Sequence, residues 1–310
     1  MFENNYDFIT EEIIIPDTYD ITFNHMSVVV IHSLLQTLKL RSTRNLLRNL
    51  CLQRRKTMGV IEVQVDNGVQ TIKFNRPEKK NAINREIYEG LISTLKQSAD
   101  DDRVILTVLT GSGDYYSSGN DFSLPQTTDM KAFFKDSTDI VGKFVAAFID
   151  YPKLLIAVVN GPALGIAATT LALCDVVYAS DKAWFQTPFT QLGLVPEGCS
   201  SVTFPHIMGS KASRLLYLNE KMTADEALAC GFVTQVFPDA QIEAQTSAKI
   251  REHAKLPLQS LMLSKQLVRK WNKQLLHEVN RTECQALAKR FESEDFFNAL
   301  LSFKERKSKL

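Results

Sequence analysis

The segment LLIAVVNGPALGIAATTLALCDVVYAS, residues 154–180, decides the fold class. Its first six residues are all apolar, which is typical of a strand covered on both faces. Gly161 and Pro162 then turn the chain into an alanine-rich stretch that predicts a helix packed closely on that strand, and DVVYAS predicts a second strand. A strand, a helix and a further strand in this order predict an α/β core.

The residues before this segment follow the same rhythm. Residues 60–75, VIEVQVDNGVQTIKFN, alternate apolar and polar side chains around a central Asn-Gly pair, and this pattern predicts a β-hairpin. A helix is expected from its N-cap Asn84 to Asp100. VILTVLTG, residues 104–111, predicts another buried strand, so the order is strand, strand, helix, strand.

The C-terminal part of the chain predicts helices only. A predicted helix with Phe133 and Phe148 on its apolar side precedes the segment 154–180. The strand pattern then stops at about residue 240. We therefore place a core at residues 59–240 and a C-terminal helical region at residues 241–310. Terminal helical layers often cover a neighbouring subunit, so this region also predicts an oligomer. Its helical patterns lie at residues 240–256, 258–271 and 277–293.

Residues 1–58 form an extension of different composition. Residues 21–61 contain no Asp or Glu but seven Lys and Arg side chains. This composition predicts a transit peptide, and a mitochondrial product, if translation starts near Met26; a disordered extension is the alternative. The opposite end of the chain matches a peroxisomal address that the import receptor reads. That address consists of Ser308, Lys309 and Leu310.

The bulk composition favours small-molecule chemistry on a globular protein. With 45% hydrophobic residues, a chain of 310 residues can bury a sizeable core. A formal charge of +1 argues against a nucleic-acid partner. The five cysteines include no CxxC pair, which argues against a zinc site or a disulfide framework. No stretch approaches the twenty apolar residues of a membrane span, so none is expected.

Two glycine-rich loops are candidates for ligand binding. Residues 111–123, GSGDYYSSGNDFS, have glycines that permit left-handed turns or a close backbone approach to a ligand; a flexible connection is the alternative. Residues 160–170, NGPALGIAATT, open a helix, where Gly165 and Ile166 can offer N–H groups to a developing negative oxygen. Close helix-to-strand packing also requires such small residues, and both interpretations can hold.

The segment GLVPEGCSS, residues 193–201, contains one carboxylate, Glu197, between a proline and a glycine. A helix starting just after it would be stabilised by an acidic side chain near its N-terminus. Alternatively, burial among the apolar neighbours would raise the pKa of Glu197 towards that of a useful base. Cys199 and His206 do not predict a nucleophilic pair, because no orienting Asp or Asn is evident.

Several spaced motifs, taken together, resemble the crotonase (enoyl-CoA hydratase/isomerase) superfamily. They cover roughly residues 59–236, and VPEGCSS with the SKL ending most resembles the peroxisomal Δ3,Δ2-enoyl-CoA isomerases within it. In chain order, the motifs are RPEKKNAIN at 76–84, SSGNDF at 117–122, NGPALG at 160–165, PEG at 196–198 and TADEALACGFV at 223–233.

The resemblance implies a fold, an assembly and a ligand. The fold is a spiral of repeated ββα units, with C-terminal helices that form a homotrimer or a dimer of trimers. The ligand is an acyl thioester of coenzyme A, which is part of the substrate, so no separate cofactor and no metal are expected. The resemblance also implies an oxyanion hole made by the backbone N–H groups of Asn120 and Ile166.

The resemblance further implies a set of substrate-binding residues. Lys79 and Lys80 are candidates for the phosphates of coenzyme A, and Lys265 or Arg269 on the C-terminal helices could add further contacts. The loops that would contact the adenine and pantetheine contribute Ser117, Ser118, Gly119, Asn120, Asp121, Leu164 and Gly165.

The departures from the hydratase pattern favour an isomerase. Hydratases that this chain resembles carry two glutamates, and the matching positions here are Thr169 and Phe189. Glu197 lies where the isomerases place their single base, which would shift the double bond of a cis or trans 3-enoyl-CoA to give trans-2-enoyl-CoA during oxidation of unsaturated fatty acids. A non-catalytic acyl-CoA-binding module is the alternative, and a hydratase is less favoured.

Overall fold

The computed structural model describes residues 56–123 and 129–308 of the chain. The described residues therefore leave out residues 1–55 of the predicted extension. They also leave out Lys309 and Leu310 of the terminal tripeptide. The division of the chain at residues 58 and 240 stays a prediction. None of the helices in the described ranges is long and apolar enough to cross a membrane.

Seven strands form the main sheet in the order β1-β2-β3-β4-β5-β7-β10. The predicted hairpin is confirmed, because β2 and β3 pair antiparallel and the Asn67-Gly68 turn has φ angles of 47° and 82°, as a two-residue hairpin turn requires. From β3 onwards every pairing is parallel. The strands are β1 (Lys56–Met58), β2 (Ile61–Asp66), β3 (Val69–Phe74), β4 (Leu106–Gly111), β5 (Leu154–Val159), β7 (Val176–Ser180) and β10 (Gln235–Phe237).

A second, three-stranded sheet has the order β6-β8-β9, with β6 at Ala163–Leu164, β8 at Trp184–Gln186 and β9 at Met222–Thr223. The chain alternates between the two sheets: β5 leads into β6 and a helix, and β7 leads into β8 and further helices. An isolated bridge from Ser117 to Ala163 brings the loop after β4 to the edge of the small sheet. This repeated strand, strand, helix winding confirms the predicted α/β spiral.

The helices of the core follow their local signals, with one exception. Asn84 caps α1 as predicted, since its side chain accepts a hydrogen bond from the N–H of Ile87. The alanine-rich helix is shorter than predicted and passes into a 3-10 turn at Thr170, whose N–H donates to the carbonyls of both Ala168 and Ile166. The core helices are α1 (Arg85–Ala99), α2 (Met130–Asp150), α3 (Ile166–Thr169), α4 (Ser200–Met208), α5 (Ala212–Leu216) and α6 (Ala224–Ala229).

Four helices complete the described chain: α7 (Ile242–His253), α8 (Leu258–Arg269), α9 (Lys273–Phe291) and α10 (Glu294–Ser308). The side-chain amide of Asn280 on α9 donates to the Gly142 carbonyl on α2 at 2.9 Å. Phe291 of α9 stacks on Phe134 of α2, with ring centroids 4.9 Å apart. Helix α9 therefore packs directly against the core, on the side where the candidate site lies.

Candidate active site

Two glycines let the three candidate loops meet. At Gly119 (φ 82°) a Cβ atom would lie 2.7 Å from the carbonyl oxygen of Leu164. At Gly198 (φ 70°) a Cβ atom would lie 2.3 Å from the hydroxyl oxygen of Thr169. Both contacts are shorter than any side chain tolerates, so each loop approaches its neighbour through bare backbone. The glycines thus bring the sequence around Asn120, Ile166 and Glu197 together.

The RPEKKNAIN motif fixes the first of these loops. The buried side chain of Asn81 accepts from the Arg76 N–H at 2.9 Å and donates to the carbonyls of Ser112 and Tyr115 at 2.8 and 2.7 Å. The Arg76 guanidinium forms an ion pair with Asp121 at 3.0 Å. The carboxylate of Asp121, a predicted substrate-binding residue, therefore has an intramolecular partner that holds the loop in place.

Two backbone amides remain available where the loops meet. The Ile83 N–H donates to the Gly119 carbonyl and the Asp121 N–H donates to the Ile83 carbonyl, at 2.8 and 2.9 Å, so the N–H of Asn120 between them points away from Ile83. Ile166 is the first residue of α3, where an N–H has no partner within the helix. Within the described residues neither the Asn120 nor the Ile166 N–H donates to a protein acceptor.

Glu197 is 4% exposed and contacts Asn120, the residue that carries the first of these amides. Its Oε1 atom accepts a hydrogen bond from the Asn120 side chain, Nδ2 to Oε1, at 3.3 Å, while Oε2 has no partner among the described residues. Burial raises the pKa of Glu197 to about 8, with the nearby Glu283 carboxylate adding to the rise and the Asn120 bond opposing it. A buried carboxylate with a raised pKa is a strong base once it is ionised.

Tyr88 fixes the direction of the Asn120 side chain. The buried Tyr88 hydroxyl donates to Oδ1 of Asn120, so the amide group of Asn120 must present its Nδ2 donor to Glu197. Tyr88 was not predicted from the sequence, because it stands among the core residues of α1 and carries no motif of its own. The result is a hydrogen-bonded row of Tyr88, Asn120 and Glu197.

The helix-capping interpretation of Glu197 is wrong, because another carboxylate caps α4. The N–H groups of Cys199 and Ser201 donate to Oε2 and Oε1 of Glu283, at 2.7 and 2.9 Å. Glu283 was not among the residues predicted from the sequence. Its signal is the spacing to Val279 and Leu287, which places this glutamate on the buried face of α9.

The two positions where the resemblance leads us to expect the glutamates of a hydratase are both buried. Thr169 is fully buried and its hydroxyl donates to the Ile166 carbonyl, while Phe189 is 3% exposed. Neither side chain carries a carboxylate.

The Cys199 thiol donates to the Leu276 carbonyl at 3.3 Å, and burial raises its pKa well above the usual range. These contacts give no support to a thiol nucleophile. The described residues contain no group of three or more His, Cys, Asp or Glu side chains that could hold a metal ion.

The predicted coenzyme A residues differ in exposure and in hydrogen bonding. Lys79 and Lys80 are exposed, and the Lys80 ammonium lies 5.0 Å from the centroid of the Tyr115 ring. The Ser118 N–H donates to the Lys80 carbonyl at 2.9 Å. The Ser117 hydroxyl donates to the Asn81 carbonyl and accepts from the Gly119 N–H, so its side chain is committed to the loop.

The structure corrects the expectation for Lys265 and Arg269. The Lys265 ammonium donates to Asp175 at 2.7 Å and to the Lys153 carbonyl at 2.8 Å, and its side chain is 9% exposed. The Arg269 guanidinium contacts the Leu173 carbonyl and Asp175. Both cations are thus part of a buried joint between α8 and the sheet, and neither is free to bind a phosphate.

Comparison with known proteins assigns the family. The profile described as enoyl-CoA hydratase/isomerase matches residues 64–309, and the chain belongs to this family. It is 48% identical over 264 residues to human enoyl-CoA delta isomerase 2, a match that covers 83% of this chain and 66% of the relative. The chain thus spans slightly less than two thirds of that relative.

Two further comparisons agree with this assignment. Mouse "Enoyl-CoA delta isomerase 3, peroxisomal" is 46% identical over 252 residues, which cover 80% of this chain and 79% of the relative. A solved enoyl-CoA hydratase/isomerase from Pseudoalteromonas atlantica T6c has 35% sequence identity and a TM-score of 0.73, and the match covers 80% of this chain and 97% of that one. The crotonase-like fold expected from the sequence is thereby confirmed.

Proposed function

We propose that this chain is a Δ3,Δ2-enoyl-CoA isomerase, which converts cis or trans 3-enoyl-CoA into trans-2-enoyl-CoA. The observation that carries the proposal is the buried Glu197 carboxylate, with one oxygen bound to Asn120 and the other without a partner in the described chain. The names of the human and mouse relatives support the same reaction.

In this proposal Glu197 moves one proton between two carbons of the substrate. Its Oε2 removes a proton from C2, the C–H electron pair enters the conjugated system, and negative charge develops on the thioester oxygen. The N–H groups of Asn120 and Ile166 stabilise that oxygen, each by about 3 to 4 kcal/mol in the transition state. Glu197 then returns the proton to C4. Atoms and electrons stay within the substrate, so the step consumes no redox cofactor.

The surroundings of Glu197 favour isomerisation over hydration. Hydration needs one group to activate water and another to protonate carbon. Thr169 and Phe189 stand at the two glutamate positions of the hydratases, and both oxygens of Glu283 accept backbone N–H groups. A single free carboxylate is sufficient for a proton shift along one face of the substrate.

The remaining parts of the proposal concern binding and assembly. Leu164, Gly165 and the 117–121 loop would contact the acyl-CoA, with Lys79 and Lys80 near its phosphates. We also propose a homotrimer or a dimer of trimers. Large apolar side chains on and after α8 support it, since Leu267, Val268 and Trp271 are 66%, 73% and 79% exposed.

The proposed location is the peroxisome. Its support is the terminal SKL sequence and the peroxisomal name of the mouse relative. A shorter product starting near Met26 would be directed to mitochondria instead. A variant that lacks only Ser308, Lys309 and Leu310 is expected to stay outside peroxisomes, as fluorescence microscopy of cells would show. Unchanged import of this variant would contradict the assignment.

The decisive test of the function is an assay of cis and trans 3-enoyl-CoA with the Glu197→Gln variant. We expect kcat to fall by about 10² to 10⁴, the contribution of a general base, while acyl-CoA binding is retained. Glu278→Gln is the matched control, because Glu278 is an exposed glutamate that pairs with Arg281. Turnover by E197Q at the control rate would overturn Glu197 as the base. Formation of 3-hydroxyacyl-CoA from added trans-2-enoyl-CoA would indicate a hydratase, and binding without turnover in the wild type would indicate a binding module.

A further inference from the structure

We infer that Glu283 is a positioning residue for this reaction: from α9 it holds the turn at residues 198–201 and thereby orients the side chain of Glu197 towards the two available amides. The inference rests on the proposed function, and it adds a residue of the C-terminal helices to a site otherwise built from core loops. Four observations on contacts, backbone conformation and charge carry it.

The first observation is that Glu283 is bound at both oxygens to the turn that follows Glu197. Its side chain accepts the Cys199 N–H at 2.7 Å and the Ser201 N–H at 2.9 Å, and the residue is 6% exposed. Two short, buried hydrogen bonds to a carboxylate fix the position of these amides strongly. Since Cys199 lies two residues after Glu197, a shift of this turn moves the base.

The second observation is the unusual backbone of the turn. Gly198 and Cys199 are both left-handed, with φ angles of 70° and 61°. A residue with a Cβ atom adopts this conformation only at an energetic cost, so surrounding contacts must hold Cys199 there. The bond from its N–H to Glu283 is such a contact, and the bond from its thiol to the Leu276 carbonyl is another.

The third observation is that the turn is closed directly behind the base. The N–H and the hydroxyl of Ser200 donate to the Glu197 carbonyl at 3.3 and 2.7 Å. The backbone of Glu197 is therefore coupled to Ser200, whose two neighbours are bound by Glu283. With the backbone held in this way, the Glu197 side chain extends to Asn120 rather than to the helix N-terminus.

The fourth observation concerns charge. The titratable groups that face Glu197 are Tyr88 from α1 and Glu283 and Cys284 from α9. Burial raises the pKa of both Tyr88 and Cys284, so they are neutral at physiological pH. Burial raises the pKa of Glu283 as well, but its two N–H bonds oppose that rise, whereas Glu197 accepts only the bond from Asn120, so we expect Glu283 to ionise before Glu197 and to act as the like charge. It therefore strengthens the base as well as orienting it.

The test compares kcat and kcat/KM for 3-enoyl-CoA across pH in full-length variants. Glu283→Gln removes the charge and one of the two acceptors, because an amide nitrogen cannot accept an N–H, so kcat is expected to fall and the acid limb of kcat/KM to move to lower pH by about one unit. Glu283→Asp keeps the charge but withdraws the carboxylate from the turn, so kcat is expected to fall by on the order of 10²-fold with little change in KM. Either variant alone tests the inference if the other does not fold.

The controls separate the two levels of the proposal. Glu278→Gln, on the exposed face of the same helix, is expected to leave the pH profile unchanged. An E283Q or E283D protein with wild-type kcat overturns the positioning role, and an E283Q acid limb that coincides with that of the control overturns the effect of charge. If the Glu283 variants behave like the control while E197Q is inactive, only the inference about Glu283 fails. If E197Q is fully active, the base itself is misassigned and both proposals fail.

Discussion

The carboxyl group of Glu197 ionises in different pH ranges in the folded and the unfolded chain. Burial raises its pKa from 4.5 to about 8 in the folded protein. A raised pKa means that the folded state binds the proton more tightly than the unfolded state does. The stabilisation is thus fully present below pH 4.5 and is lost as the pH rises towards 8, by about 1.4 kcal/mol per pH unit.

Replacing Glu197 by Gln should remove this pH dependence. We expect the E197Q variant to gain stability relative to the wild type as the pH rises from about 4.5 to about 8, because a neutral amide has no proton to lose. Urea unfolding at several pH values measures the difference in the free energy of unfolding. Parallel curves for the two proteins would mean that Glu197 is solvated in the folded state.

At the scale of elements, the site depends on two loops that touch through backbone. A Cβ atom at Gly119 would strike the Leu164 carbonyl, whereas a Cβ atom at Gly231, with a similar φ of 80°, meets nothing within 4 Å. An alanine would have the same unfavourable left-handed backbone at both positions. Only at Gly119 would its Cβ atom also clash with a neighbouring atom. This pair isolates the effect of loop separation on the reaction.

We expect Gly119→Ala to lower kcat by on the order of 10²-fold, because the loops must part and the Asn120 amide moves away from that of Ile166. Gly231→Ala should keep wild-type kcat and lose only about 1 to 2 kcal/mol of stability from the strained φ. Steady-state kinetics and urea unfolding of both variants make the comparison. Equal kcat values would show that the contact between the loops does not govern the reaction.

The elements whose signals are local could be predicted from the sequence. The Asn84 cap, the Asn67-Gly68 turn and the Thr223 to Glu226 capping box all join residues within three positions of each other. The cap on α4 could not be predicted in this way. Its acceptor, Glu283, lies 82 positions after Ser201, and only the folded chain brings them together.

At the scale of the whole molecule, a buried ion pair joins α8 to the sheet. Replacing Lys265 by Met would leave Asp175 without its nearest cation, and we expect the free energy of unfolding to fall by about 3 kcal/mol. Lys270→Met, at an exposed lysine of the adjoining turn, is the control. Urea unfolding checks the stability, and an unchanged KM for acyl-CoA checks that Lys265 binds no phosphate. A raised KM with normal stability would contradict this account.

The same ion pair explains why sequence reasoning misplaced two residues. Lys265 and Arg269 stand among polar neighbours on a helix, which resembles a solvated face in sequence. Asp175 lies 90 positions before Lys265, and burial of a lysine leaves no trace in periodicity. The family and the glycine loops were predictable because their motifs are contiguous, whereas partners contributed by the C-terminal helices were not.

The carboxylate that caps α4 also sets an order of events during biosynthesis. The ribosome makes Glu197 and its turn well before it makes Glu283. Until α9 has left the exit tunnel, the left-handed Cys199 lacks the acceptor for its N–H. A nascent chain can thus make every strand of both sheets before it makes the residue that, in our proposal, orients the base.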